Sequence, residues 1–400
     1  MSSKICIVTH THLSRNPRVL KEAITLSKAG YEVHILNSVY SKVLLIEDLA
    51  LLGNYNIGIE HISDLTKKDL WSFFDRLCKK VGNLLIKYFG FETQFALGYA
   101  PLRYIDVCKK INANLYICHQ ELPVFLGGKL LRLGYNVAFD LEDWHSEDLP
   151  VRNRYNRAVR LLRSAENIAL NHGAFCTVTS IAMAKQLAEV YSSKVPQVIY
   201  NTFNLNLKTL GLKKEFNEPI RLVWFSLNIG HGRGLEEFIN ILAHITTTVE
   251  LHLIGAVTDD YKQEITGRVP SLHKIFFHEM VKADMLDEKL SSFDIGLATE
   301  LKTPLNRNCT ITNKFFQYIQ NGLPIIATNT LGNLEILKQY QVGLLIDFEQ
   351  ENHILLNKFL NDLPALKKMR ENAISAAKFY NWENQQHLFL ELIKKNIQIK

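Results

Sequence analysis

No stretch of this 400-residue chain approaches the roughly 18 uninterrupted apolar residues that a membrane-spanning helix requires. The N-terminal apolar run ICIV is too short for a secretory signal and leads straight into THTHLSRNPR. The six cysteines (Cys6, Cys78, Cys108, Cys118, Cys176 and Cys309) are scattered, without the Cys-x-x-Cys or Cys/His pairs of a zinc site, so reduced thiols in the cytoplasm are expected. There is no repeat of solenoid length and no low-complexity tract. No nucleic-acid-binding motif accompanies the positive charge, and a nucleic acid partner is not expected.

What is present is a composition 47% hydrophobic, enough for a large core, and a length that makes two domains the default. The net charge of +6 is all N-terminal: residues 1–200 hold 24 Lys and Arg against 18 Asp and Glu, and residues 201–400 hold 22 of each. Residues 67–110 alone carry nine Lys/Arg and four Asp/Glu among Trp71, Phe73, Phe74, Tyr88, Phe89, Phe91, Phe95 and Tyr99. Such a segment suits an anionic membrane surface, with the protein peripheral on its inner face. The same composition also suits an ordinary helix pair with solvated lysines.

The stretch KICIVTH, then NPRVLKEAITLSKAG, then YEVHILN has the period of strand, helix, strand. Asn16 can cap the helix, Pro17 suits its first turn and Gly30 ends it. Strands are expected at 114–119, 135–141, 174–180 and 197–201, separated by helical patterns. Residues 201–219 lose periodicity and read as a linker. A second series follows in RLVWFS, VELHLIG, HKIFFH, FDIGLA, LPIIAT and VGLLI. The expected fold is α/β, with two doubly wound Rossmann-like domains facing a central cleft. The expected domains are residues 1–203, residues 204–378, and a C-terminal helix over 379–400 that packs back on the first domain.

In open parallel sheets, ligands gather where loops follow the strands. After RLVWFS, the run LNIGHGRGLEEF offers Gly230, Gly232 and Gly234 for close backbone approach, with Arg233 at a helix mouth; a phosphate there would meet a guanidinium and a helix N-terminus, although glycines also make plain turns. After FDIGLA, the segment TITNKFFQYIQNG opens a second helix with a second cation, Lys314. Two cationic helix starts on one sheet edge suit a diphosphate. Gln317, one turn further on, could reach ribose hydroxyls.

The layout RLVWFS, GRGLEEFI, LHLIG, FDIGLATE, NKFFQYIQNGLPIIAT resembles the donor-binding half of GT-B retaining glycosyltransferases of family 4, and SRNPRVLKEAITLSKAGYEV resembles the opening of many bacterial members. The resemblance implies a UDP- or GDP-linked sugar donor, no cofactor and no obligatory metal; no Asp-x-Asp motif is present to carry one. It implies a saccharide or lipid-linked saccharide acceptor in bacterial surface glycan synthesis. By the same resemblance, His119, Arg233 and Lys314 would be catalytic. Gly230, Gly232, Arg233, Thr310, Asn313, Lys314 and Gln317 would bind donor, and Arg15, Asn16, Arg18, Asp143 and His145 acceptor.

Three positions depart from the family pattern: Cys309 and Gln317 stand where the Glu-x7-Glu signature has its glutamates, and Leu227 where the first of two paired cations is expected. Asn306, Asn308 or Glu300 are candidates to substitute for the lost carboxylate. The implied mechanism stabilises the departing diphosphate with Arg233, Lys314 and two helix N-termini, while a donor phosphate oxygen takes the acceptor proton and His119 positions rather than abstracts. Two alternatives stay open: a non-catalytic GT-B subunit that supports a partner transferase, and a sugar-nucleotide epimerase.

Overall fold

The computed structural model describes residues 3–53, 55–210, 215–348 and 352–397. The chain divides into two compact units: residues up to Ile199 together with those from Gln386 onward, and Tyr200–Gln385. Part of the expected linker, residues 211–214, lies outside the described residues; the rest of 201–219 forms no helix or strand.

The first unit runs β1 (Lys4–Val8), α1 (Pro17–Lys28), β2 (Glu32–Val39), α2 (Lys42–Leu52), β3 (Ile57–Asp64), α3 (Leu70–Phe89), α4 (Pro101–Ile111), β4 (Leu115–His119), α5 (Glu121–Arg132), β5 (Val137–Leu141), α6 (Val159–His172), β6 (Cys176–Val178), α7 (Ile181–Tyr191) and β7 (Gln197–Val198). Its seven strands are parallel, in the order β3-β2-β1-β4-β5-β6-β7. Asn16 caps α1 by accepting from Val19 N at 3.2 Å, Pro17 takes the first turn, and Val19, Ala23 and Leu26 are buried. Strand β3 has no counterpart among the expected strands. It is an edge strand whose outer positions, Gly58 and Glu60, are exposed, so its sequence lacks a continuous apolar run.

The second unit runs β8 (Ile220–Ile229), α8 (Leu235–Leu242), β9 (Val249–Val257), α9 (Asp259–Arg268), β10 (Lys274–His278), α10 (Ala283–Ser291), β11 (Ile295–Ala298), α11 (Leu305–Cys309), α12 (Asn313–Gln320), β12 (Ile325–Thr328), α13 (Leu331–Tyr340), β13 (Gly343–Ile346), α14 (His353–Asn361) and α15 (Leu363–Phe379). Helix α16 (Trp382–Asn396) begins here, and its later part belongs to the first unit, where Asn136 Nδ2 donates to Asn396 O at 2.8 Å. The six strands are parallel, in the order β10-β9-β8-β11-β12-β13, over a core that includes Trp224, Phe238, Leu251 and Ile326. All six were legible as apolar runs.

In each sheet the chain reverses its direction of travel once, between β1 and β4 and between β8 and β11. Loops leaving the two central strands diverge there and open a crevice at their carboxyl ends. In the second sheet, a missing side chain sets the helix that borders the crevice. A Cβ on Gly296 would lie 2.3 Å from the Tyr318 ring, so glycine lets α12 settle on β11, with Tyr318 Oη 3.0 Å from Val223 O.

Candidate functional site

At the second unit's crevice, the loop after β8 folds onto the end of β11. Gly234 has φ +76°, and a Cβ there would lie 1.8 Å from Thr299 O. Only glycine permits that approach. Thr299 Oγ1 donates to Arg233 O at 3.1 Å, and Arg307 Nη1 donates to Gly232 O at 2.7 Å. Gly232 also has a positive φ of 71°, but with open space around it, as at Gly230. Neither α8 nor α12 has a side-chain N-cap, so the first amides of both helices are free of that partner. Glu236 in the first turn of α8 is engaged by His231 Nδ1 at 2.9 Å.

The cations converge on Glu300, the second residue beyond β11. Its carboxylate is almost wholly buried, with Lys314 Nζ at 2.6 Å from Oε1 and Arg307 Nε at 4.0 Å from Oε2. Burial would push the carboxyl up, but Lys314 above all, then Arg233 and Arg307, holds it below its ordinary value. Lys314 is also stacked 4.9 Å from the centre of the Trp224 ring. The structure thus brings Arg233 and Lys314 to one carboxylate and adds Arg307. Three cations face one carboxylate beside the two helix N-termini, with Glu236 and Glu237 in the first turn of α8. Arg307 was missed because it sits in a loop without periodicity; here that loop forms the short helix α11.

The remaining donor-side residues are placed individually. Thr310 Oγ1 donates back to Asn306 O at 2.7 Å, and exposed Asn313 accepts from Asn201 Nδ2 at 3.1 Å. Gln317 is buried, and its Nε2 donates to Asp287 Oδ1 at 2.8 Å; Asn321 Nδ2 donates to the same oxygen at 2.9 Å. With its amide nitrogen held by α10, Gln317 keeps Oε1 as a hydrogen-bond acceptor. Cys309 is fully buried in α11, where burial pushes its thiol up to about 11, and Leu227 is exposed on β8.

At the first unit's crevice, His119 closes β4 with no exposed surface. Its Nε2 lies 3.1 Å from Glu22 Oε2, and its Nδ1 lies 3.1 Å from Glu142 Oε1 and 3.5 Å from Asp140 Oδ2. Burial disfavours the charged ring, but Glu22, the bond to Glu142 and Asp140 outweigh it and push the imidazole up to about 10. An imidazolium with carboxylates at both nitrogens is a donor and not a base. Arg18, also without exposed surface, bonds Asp140 and donates to Ile199 O at 2.6 Å.

Of the residues expected on the acceptor side, Arg15 and Asp143 are exposed. Arg18, in contrast, presents no surface to an acceptor: it neutralises Asp140 inside the unit. Asn16 is buried, capping α1 and donating to Glu142 Oε1 at 2.7 Å. Buried His145 sits beside Glu121 and Asp148, which Arg157 bridges.

Two parallel α/β units of this topology in one chain make the GT-B fold. Residues 221–359 match the family model described as "Glycosyl transferases group 1", so the second unit carries a glycosyltransferase domain. Sucrose-phosphate synthase from Thermosynechococcus elongatus superposes with a TM-score of 0.70 at 14% identity, over 98% of each chain. Anabaena HepE, solved with UDP and glucose, superposes with 0.66 at 15% identity, over 98% of this chain and 100% of its own. WaaG, a glycosyltransferase involved in lipopolysaccharide biosynthesis, gives 0.62 at 13% identity, over 97% and 99%. No curated protein sequence matches the chain.

Proposed function

We propose that the protein is a retaining glycosyltransferase that moves a sugar from a UDP- or GDP-linked donor to a saccharide or lipid-linked saccharide acceptor in bacterial surface glycan synthesis. One observation carries this reading. Arg233, Lys314 and Arg307 surround one buried carboxylate at the switch point of the second sheet, and a cluster in which cations outnumber the carboxylate they share suits the negative charge of a sugar diphosphate ester. HepE, of the same fold, was solved with UDP and glucose, and WaaG takes part in lipopolysaccharide biosynthesis.

As the bond between the anomeric carbon and the diphosphate oxygen breaks, negative charge grows on the leaving group. Arg233, Lys314, Arg307 and the amides of α8 and α12 are the groups that stabilise it. A cation cluster supplied by the protein does the work that a divalent ion does elsewhere. Gln317 Oε1 accepts from a ribose hydroxyl. On the retaining path, a donor phosphate oxygen takes the acceptor proton; His119, already protonated, positions Glu22 and Glu142. Arg15 and Asp143 are the exposed candidates for acceptor contact.

The test is calorimetric titration of UDP-glucose, GDP-mannose and related donors, followed by product analysis with saccharide acceptors. Arg233→Ala is expected to weaken donor binding by about tenfold or more, since a hydrogen bond between charged groups is worth about 1.5–3 kcal/mol. Absence of binding across the panel refutes the reading. Tight donor binding without transfer or hydrolysis favours the non-catalytic subunit instead, for which the substitutions at Cys309, Gln317 and Leu227 speak.

A further inference from the structure

Helix α3 is amphipathic in the wrong sense for a helix that covers a sheet. Its inner face carries Ser72, Asp75 and Gly82, with Ile86 its one buried large apolar side chain. Asp75 is bonded to Ser63 Oγ and Arg103, and Gly82 is pressed so closely on residues 95 and 96 that a Cβ would lie 2.8 Å from Ala96 N. Its outer face carries Leu70, Phe73, Phe74, Leu77, Val81, Leu84 and Tyr88, all exposed and spaced at three, four and seven residues, so they form one stripe. Over 20 residues this stripe is about 30 Å long. Trp71, 68% exposed, lies at its side with the Arg103 guanidinium 5.3 Å from its ring centre. An apolar surface of this extent marks an interaction site.

The charge beside the stripe selects the partner. Arg76, Lys80 and Lys87 are exposed along one flank of the helix, and Lys67 and Lys68 precede it. The acids of this stretch are Asp69, which caps the helix through Ser72 N, and buried Asp75. Residues 94–96, packed against the inner face of α3, receive Lys79 Nζ from it and bond Lys129 of α5. A second copy of the chain seated on this face would bring like charges together. A bilayer with anionic lipids satisfies both features, taking the aromatic and aliphatic stripe into its interface and the lysines at its headgroups.

We propose that α3 lies flat in the surface of an anionic membrane, its apolar stripe in the interface and its flanking lysines at the headgroups. This inference is independent of the transferase reading, since nucleotide binding does not enter its test. The full chain is sedimented with phosphatidylcholine vesicles and with phosphatidylcholine–phosphatidylglycerol vesicles. It is expected to bind the second, more weakly at high salt. Phe73→Ser with Phe74→Ser and Leu77→Ser is expected to abolish binding with unchanged circular dichroism. Lys80→Glu with Lys87→Glu is expected to lower binding about tenfold or more, and keeps the test decisive if the apolar triple variant fails to fold. No binding to the anionic vesicles, or binding indifferent to both variants, overturns the proposal. So does a wild-type dimer in sedimentation velocity that these variants dissociate, which would make the stripe a self-association face.

Discussion

Lys314 Nζ stands 2.6 Å from Glu300 Oε1 and 4.9 Å from the centre of the Trp224 ring, so the first turn of α12, the end of β11 and the floor of β8 are tied through one ammonium. Both members of the ion pair are buried. Removing either one leaves an unpaired buried charge, which costs about 3–5 kcal/mol. Lys314→Ala and Glu300→Ala are each expected to lower unfolding stability on that scale, and the double variant by clearly less than the sum. A double-mutant cycle by urea denaturation measures this; additive losses would contradict the coupling.

Gln317 is held by Asp287, so restoring a family-like glutamate is expected to harm. Gln317→Glu sets two carboxylates where the amide now donates at 2.8 Å. The expected loss is about 1–3 kcal/mol in stability, with weaker nucleotide binding. Asp287→Asn in the same chain should recover both. Thermal melting with and without UDP reads the outcome, and a stable, tighter-binding single variant would show that the pairing does not matter.

Two glycines with similar φ values should behave differently. Gly234→Ala drives a Cβ against Thr299 O and is expected to abolish soluble folded protein, whereas Gly232→Ala meets only open space and backbone strain of about 1–2 kcal/mol. Melting temperatures and expression yields of the pair decide it.

His119 is expected to stay protonated at neutral pH. Its folded value, raised from 6.5 to about 10, means that its ion pairs contribute fully below about 6.5 and are lost as pH rises through 10. The stability difference between the wild type and His119→Gln should therefore shrink over that window, and nitrogen NMR should show an imidazolium at pH 8. A neutral ring at that pH would remove the charged network.

Much of the fold was legible because its signals are local. Asn16, Pro17 and Gly30 bracket α1 within fifteen residues, and buried parallel strands such as LPIIAT announce themselves as apolar runs. Strand β3 escaped because an edge position leaves it half polar. At the site, Arg233 and Lys314 could be chosen from their places at helix starts. The partners could not: Glu300 is brought to Arg307 and Lys314 by the loop after β11, and Asp287 meets Gln317 across thirty residues of chain. The burial of Arg18 and His119 was also hidden, because a charged residue after a strand looks solvent-facing until its carboxylate partners are assembled in space.

Both sheets break their strand sequence at the same place, between the first strand and the fourth. Everything chemical in the second unit hangs from loops at that break, while the apolar layers beneath hold the strands in register without taking part. Substitutions in those loops can therefore change what the crevice holds without disturbing the scaffold. Different specificities on this frame need differ only in a few side chains at the break.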